Sequence, residues 1–290
     1  MTAFGFVGTL LGHAKTLFLF TKSDFKTVMF PVSLMAAAAA PTRSPTHFAQ
    51  AICWIWLHLL QFDVSNQTIN PLEDEHNKSY RPLPAKRITL QNAITLRWAL
   101  VPICWLVSSY FGRSVLCASI ALVAFTMFHN ELHAHRSMVG KNIATALTLA
   151  AFEVGAILIT GDNRHSLGRI AQQSLACSIA IFTTTIYSQD FKDVEGDALI
   201  GRKTVPIMFP TFAGPILATT IQAWTLFLIH LWQVELFTSI LFGSLAVCVA
   251  LSFTASKTVL GYQRAYYLYN AWVVFVHCLP FPQHAKMSAL

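Results

Sequence analysis

Three aspartates, Asp190, Asp193 and Asp197, stand in the run from Tyr187 to Pro206. On a helix, offsets of three and seven residues place all three carboxylates on one face. Three like charges stacked in this way repel unless a cation bridges them. An all-oxygen set of this kind suits Mg²⁺, a hard ion that keeps several waters and joins one or two carboxylates to substrate phosphates. Taken alone, the run can equally be a solvated acidic helix end. An earlier segment carries Asn66, Asn70 and Asp74 at intervals of four, and Lys78 and Arg81 continue the stripe. Pro71 interrupts it, so a helix there should bend or restart, and a polar loop beside a membrane is the alternative.

Together the two segments are more specific than either alone. A diphosphate held by metal ions needs carboxylates converging from two sides with cations close by. The metal makes the diphosphate a better leaving group, and Lys and Arg stabilise the departing charge. Lys141 and Lys192 are further candidates for phosphate contact, whereas Arg202 and Lys203 can equally be helix-end anchors. His129 and His133 lie four apart with His135 nearby, a spacing that a transition metal could use. Without cysteine, or convergent acids beyond Glu131, they read better as loop histidines closing over the diphosphate.

The elements that must position these groups are membrane helices. Of 290 residues, 54% are hydrophobic and only 11% charged, far below the charge of a soluble domain. Nine stretches approach the roughly 20 apolar residues of a span: 28–45, 46–65, 90–109, 114–130, 142–161, 166–188, 212–230, 233–254 and 264–280. Backbone groups in lipid must pair internally, and nothing alternates as barrel strands do. The expected fold class is therefore all-α and polytopic, a single transmembrane domain over residues 1–290. Residues 1–26 interleave Lys15, Lys22 and Lys26 with Phe and Leu, which predicts an amphipathic segment on the membrane surface. The six cysteines all fall in apolar stretches and read as reduced core residues.

With nine spans, all of the 20 basic residues except Arg43, Arg113, Arg164, Arg169 and Lys286 gather on one side, which the positive-inside rule assigns to the cytosol. The net charge of +7 then reflects topology and an anionic ligand rather than nucleic acid. Most of the acids lie on that same face, and acids at membrane depth call for a ligand or a partner. A transporter would string its charges through the bilayer and show inverted repeats; neither is evident.

Residues 66–89 resemble the first motif of the UbiA superfamily of intramembrane prenyltransferases and related terpene cyclases. Asn66, Asp74, Asn77, Lys78, Arg81, Pro82, Leu83 and Pro84 match, while Asn70 replaces the middle aspartate and Ser79 a proline. The second motif is complete at Asp190, Asp193 and Asp197. The resemblance implies that both motifs hold a Mg²⁺–diphosphate cluster, with the isoprenyl tail in an apolar tunnel among about nine helices. The wording of both motifs, with His129 to His133 and Phe152 to Gly155, is most similar to fungal UbiA-type terpene cyclases. The implied activity is ionisation of farnesyl or geranylgeranyl diphosphate and cyclisation of the carbocation, in the endoplasmic reticulum with the motif loops facing the cytosol. Transfer of the prenyl group to an aromatic or other acceptor is the alternative.

A cyclase cavity must exclude water and tolerate cations, which aromatic faces do. Candidates are Trp98, Trp105, Phe125, Phe128, Phe152, Phe182, Tyr187, Tyr266 and Trp272. Glu153, the one acid in the middle of an apolar stretch, could quench a cation, orient an acceptor or hydrogen-bond a neighbouring helix.

Overall fold

The computed structural model describes residues 3–40, 44–69, 71, 74–75, 78–199 and 201–282. The chain opens with α1 (Ala3–Thr21), passes through a 3-10 turn (Lys22–Asp24) and a π-helical turn (Phe25–Met29), and continues as α2 (Phe30–Ala39). Then follow α3 (Pro45–Ile69), α4 (Leu90–Phe111), α5 (Arg113–Asn130) and α6 (Met138–Thr160). Next comes α7 (Arg169–Thr185), which runs into a 3-10 segment (Ile186–Lys192) and the short helices α8 (Val194–Leu199) and α9 (Val205–Met208). The chain closes with α10 (Ala213–Leu231), α11 (Leu236–Ala255) and α12 (Val259–Cys278). Among the described residues there is no strand, only an isolated bridge between Ser137 and Lys203. The all-α class holds.

Helix starts follow the capping rule that a side-chain oxygen satisfies an orphan N–H. Thr89 accepts from the Asn92 amide, Ser137 from Gly140 and Thr258 from Gly261, while Glu235 takes both Phe237 and Thr238. Gly112, at φ 120°, makes the reversal between α4 and α5 that a side chain would resist.

By length and composition, α4, α5, α6, α10 and α11 can each cross a membrane. The expected count of nine spans does not follow from the other helices. The stretch 28–45 yields only the ten-residue α2 behind irregular turns, and α7 is 17 residues long. α3 and α12 are long but carry polar residues. In α3 these face inward: His58, Gln61, Asp63, Ser65, Gln67 and Thr68 are all buried. The outward faces are apolar, with Leu106 and Tyr110 on α4, Leu226 on α10, and Leu236, Phe237 and Leu251 on α11 exposed, as an integral membrane protein requires. The cysteines are free as expected, but only Cys104 is buried, and Cys53, Cys117 and Cys248 lie on outer faces rather than in the core. A small side chain satisfies lipid as well as it satisfies a core.

At the centre stands α6, packed by α2, α3, α5 and α7. Trp54 of α3 seats flat on Gly155 of α6, where any Cβ would run into the indole. The indole stacks on His58 at 3.9 Å and donates to Ser108 of α4 at 2.8 Å, while His58 reaches Ser119 of α5 at 2.7 Å. Trp54 and His58 together thus brace four helices. α1 docks through Phe20 on Leu60 and Val64 of α3 and Ala93 and Leu100 of α4, and is tied down by Arg87, which donates to Thr16 at 3.1 Å. Gly155→Ala is expected to destabilise the protein by about 1–3 kcal/mol through overpacking, read as a lower midpoint of thermal unfolding in detergent.

Candidate functional site

The inward face of α3 continues past Asp63 and Asn66 to the segment that carries Asp74, Lys78 and Arg81. α3 ends at Ile69, just before Pro71, as the proline predicts. Asn70 lies outside the described residues. Asn66 accepts from Asn130 of α5 at 2.8 Å. Arg81 grips Asp74 with one guanidinium nitrogen, at 2.8 and 3.0 Å from its two oxygens. Its other terminal nitrogen donates to Ser23 at 3.0 Å and lies 3.6 Å from Asp24.

The second motif departs from the expectation of a single helix face. α7 stops at Thr185, so Asp190 sits in the 3-10 segment, Asp193 at the hinge after it, and Asp197 in α8. The break fans the carboxylates apart, and each takes its own cation. Lys141, at the start of α6, lies 2.6 Å from Asp190 and 3.8 Å from Asp197; Arg202 donates to Asp197 at 2.8 Å; Lys192 pairs with Asp193. Among the described residues, no three carboxylates, histidines or cysteines close on one point.

Burial and these partners set the protonation of the mouth. Burial pushes the Asp190 carboxyl up to about 6, against the pull of Lys141 and with help from the like charge of Asp197. For Asp193 burial acts the same way, but Lys192 and Lys78 outweigh it and the pKa falls. Burial also opposes the Asp24 charge, yet Arg81 and Lys78 hold it at about 2. Arg81 is raised despite burial, because Asp74, Asp24 and Asp63 surround it. Lys78 is lowered by burial and by its cationic neighbours Arg81 and Lys192.

These groups line one cavity of about 180 Å³. Asn66, Asp74, Lys78, Arg81, Lys141, Asp190, Asp193 and Asp197 all border it, so the two segments singled out by spacing do meet. Lys192 does not border it; its ammonium turns to Asp193 and over the Tyr266 ring, 5.4 Å from the centroid. Arg202 borders the cavity and Lys203 does not; His129 and His135 do, and His133 does not. Deeper, the wall is Phe62, Leu149, Phe152, Phe182, Tyr266, Tyr269 and Val273. Of the nine aromatic candidates, Phe152, Phe182 and Tyr266 line it. Trp98, Trp105 and Phe128 are exposed on outer faces, and Trp272 is buried against Phe242 and bonded to Thr225. Phe125 packs into the core, and Tyr187 is buried with its hydroxyl donating to the Ala213 carbonyl.

Sequence reasoning missed Asp24, Asp63 and Tyr269 among the lining. Asp63 was legible, being one turn before Asn66 on the same face. Asp24 carried no such signal, because the 3-10 turn that ends on it cannot be read from composition. Glu153 does not reach the cavity lining: Ser178 of α7 donates to it at 2.6 Å, and His277 of α12, 3.4 Å away, lies 3.2 Å from the Pro31 carbonyl. The helix-to-helix bond is the reading that holds.

The UbiA prenyltransferase family model matches residues 28–278. The chain belongs to that family. It is 32% identical over 277 residues to the fumagillin beta-trans-bergamotene synthase af520 of Aspergillus fumigatus, covering 94% of each chain. It is 26% identical over 231 residues to the diterpene cyclase eriG of Hericium erinaceus, covering 74% of this chain and 72% of that one. Its fold matches a UbiA homolog from Archaeoglobus fulgidus bound to GPP and Mg²⁺, with a TM-score of 0.66 at 13% identity over 91% of this chain and 99% of the other. At that identity the match speaks for the fold.

Breaking a buried ion pair from one side strands a charge, at about 3–5 kcal/mol. Lys141→Met should therefore destabilise the UbiA-family chain by about that much, and Lys141→Met with Asp190→Asn should recover most of it. Thermal unfolding of the single and double variants in detergent checks the coupling.

Proposed function

We propose that this chain is an integral-membrane terpene cyclase that ionises farnesyl or geranylgeranyl diphosphate with Mg²⁺ and closes the resulting carbocation on the substrate's own double bonds. The observation that carries the reading is the two-ended cavity: carboxylates and cations from two separate segments at its mouth, and aromatic and aliphatic walls beyond.

The residues at the mouth fit a hard divalent cation. Asn66, Asp74, Asp190, Asp193 and Asp197 offer only oxygen, and the Asp197 Oδ2 is buried with no hydrogen-bond donor. These are the residues that would hold Mg²⁺, which when bound neutralises diphosphate oxygens and improves the leaving group. Asn70, an amide in place of the family's aspartate, would add an uncharged oxygen.

Lys78 and Arg81 from one side, and Lys141 from the other, supply the protein's own positive charge for the diphosphate, while Lys192 acts on the site through Asp193. Lys78 borders the cavity, whereas Arg81, Lys141 and Lys192 are committed to carboxylates. Fixed cations in a water-poor site stabilise departing negative charge without reorganising first. Phe62, Phe152 and Phe182, with Tyr266 and Tyr269, then face the cationic chain with ring quadrupoles and keep water from it.

Similarity to a bergamotene synthase and to a diterpene cyclase favours ring closure over transfer. Transfer to an acceptor is the competing reading, in keeping with the name of the family model. Membranes containing the protein, given Mg²⁺ and farnesyl or geranylgeranyl diphosphate without acceptor, are expected to yield a cyclic hydrocarbon detectable by mass spectrometry. A hydrocarbon that appears only as a prenylated adduct once an aromatic acceptor is supplied overturns the cyclase reading in favour of transfer. Asp190→Ala and Asp74→Ala are each expected to lower diphosphate release at least about 100-fold with membrane insertion intact, and chelation of Mg²⁺ is expected to do the same to the wild type. Full activity in either variant contradicts the site.

A further inference from the structure

The interruption between α1 and α2 has a definite consequence for the cavity. Its 3-10 and π turns, Lys22–Asp24 and Phe25–Met29, bring Asp24, Thr27 and Val28 onto the wall. π turns concentrate at functional positions because they re-aim side chains at a cost in backbone geometry. The Asp24 carboxylate accepts from Ser23 at 2.8 Å and from Thr27 at 3.0 Å. From α3, Asp63 borders the same cavity, and both carboxyls lie within the field of Arg81.

Burial and the like charge of Asp24 favour the protonated form of Asp63, while Arg81 and Lys78 keep Asp24 ionised, so the pair carries one proton and one negative charge. Asp63 is 2% exposed, and its Oδ2 has no donor from the rest of the protein. Neither residue belongs to the two segments assigned to the diphosphate. Asp63 lies three residues before Asn66, about 4.5 Å further along α3 toward the membrane interior. Phe62 and Val28 line the wall beside the pair. The pair therefore stands where the polar mouth gives way to the apolar wall, with Asp24 toward Arg81 and Asp63 one turn further along α3.

We propose that Asp24 and Asp63 together form the proton acceptor that ends the carbocation sequence, an inference that rests on the cyclase reading. A C–H bond next to the cationic carbon breaks, its electron pair becomes the new C=C bond, and the proton passes to the pair. The pair goes from one proton to two, and the second proton returns to water at the mouth when the products leave. Arg81, 3.6 Å from Asp24, balances the single negative charge that waits there. The negative charge also attracts the cation toward the acceptor before the proton moves.

The test compares hydrocarbon formed with diphosphate released by full-length protein in membranes given Mg²⁺ and farnesyl diphosphate. Because the ratio is taken per turnover, the amount of folded protein cancels. Asp63→Asn is expected to lower the ratio at least about tenfold, with prenyl alcohols formed by water making up the difference. Asp24→Asn, on a different helix, should shift it in the same direction, and Asp63→Glu should restore most of it. An unchanged ratio in both Asn variants, or hydrocarbon and diphosphate falling in equal proportion, overturns the assignment. A wild type that releases no diphosphate without an acceptor contradicts the cyclase reading itself, and the inference falls with it.

Discussion

Buried charge is the constraint around which this structure is arranged. Taking a carboxylate or ammonium out of water costs several kcal/mol after relaxation, and a pair about 4 Å apart returns about 4 kcal/mol at an effective dielectric of 20. The cavity mouth can exist only if nearly every charge has a partner. Arg81 serves Asp74 on one side and Ser23 and Asp24 on the other, so it ties the segment after α3 to the irregular turn before α2. Lys141 joins the start of α6 to Asp190 and Asp197. These two cations hold the polar ends of four elements in register. Removing either strands more than one acid.

Below the mouth, positioning depends on close packing and a few buried polar bonds. Trp54 against Gly155 fixes the distance between α3 and α6, and its links through His58 and Ser108 carry that constraint to α4 and α5. On the other side, Glu153 binds Ser178 while His277 bridges toward Pro31, connecting α6, α7, α12 and α2. A polar bond inside a membrane bundle adds only modest energy, but it is directional. It sets helix rotation, and rotation decides whether Phe152 and Phe182 face the cavity or the lipid.

The sequence was most informative where a physical rule leaves a periodic trace. The apolar stretches become helices, and of the four-residue stripe Asn66 and Asp74 both land on the cavity, the first from the end of α3 and the second from the segment after it. Pro71 marks the end of α3 for the same reason that it cannot continue a helix. The second motif misled in detail: its three-and-seven spacing is that of a helix face, but repulsion and three separate cations are accommodated by a 3-10 segment and a hinge. Tertiary placement left no such trace. Trp98 and Trp105 have the composition of cavity aromatics and face outward, and nothing local distinguishes them from Phe152. Asp24 reaches the cavity at the junction of a 3-10 and a π turn, a backbone choice that leaves no periodic trace. α3 and α12 are absent from the helices apolar enough to span because they carry polar side chains, many of which in α3 are buried.

The central claim is that the two acidic segments act as one receptor for a prenyl diphosphate together with Mg²⁺. Its most direct test is binding without turnover. Calorimetric titration of the purified protein in detergent with a non-hydrolysable farnesyl thiolodiphosphate should give tight binding with Mg²⁺ and weak binding without it, and the Asp74→Ala and Asp190→Ala variants should each lose most of the Mg²⁺-dependent affinity. Binding that is indifferent to Mg²⁺, or that survives loss of either aspartate, would show that the segments do not share a ligand and would contradict the account.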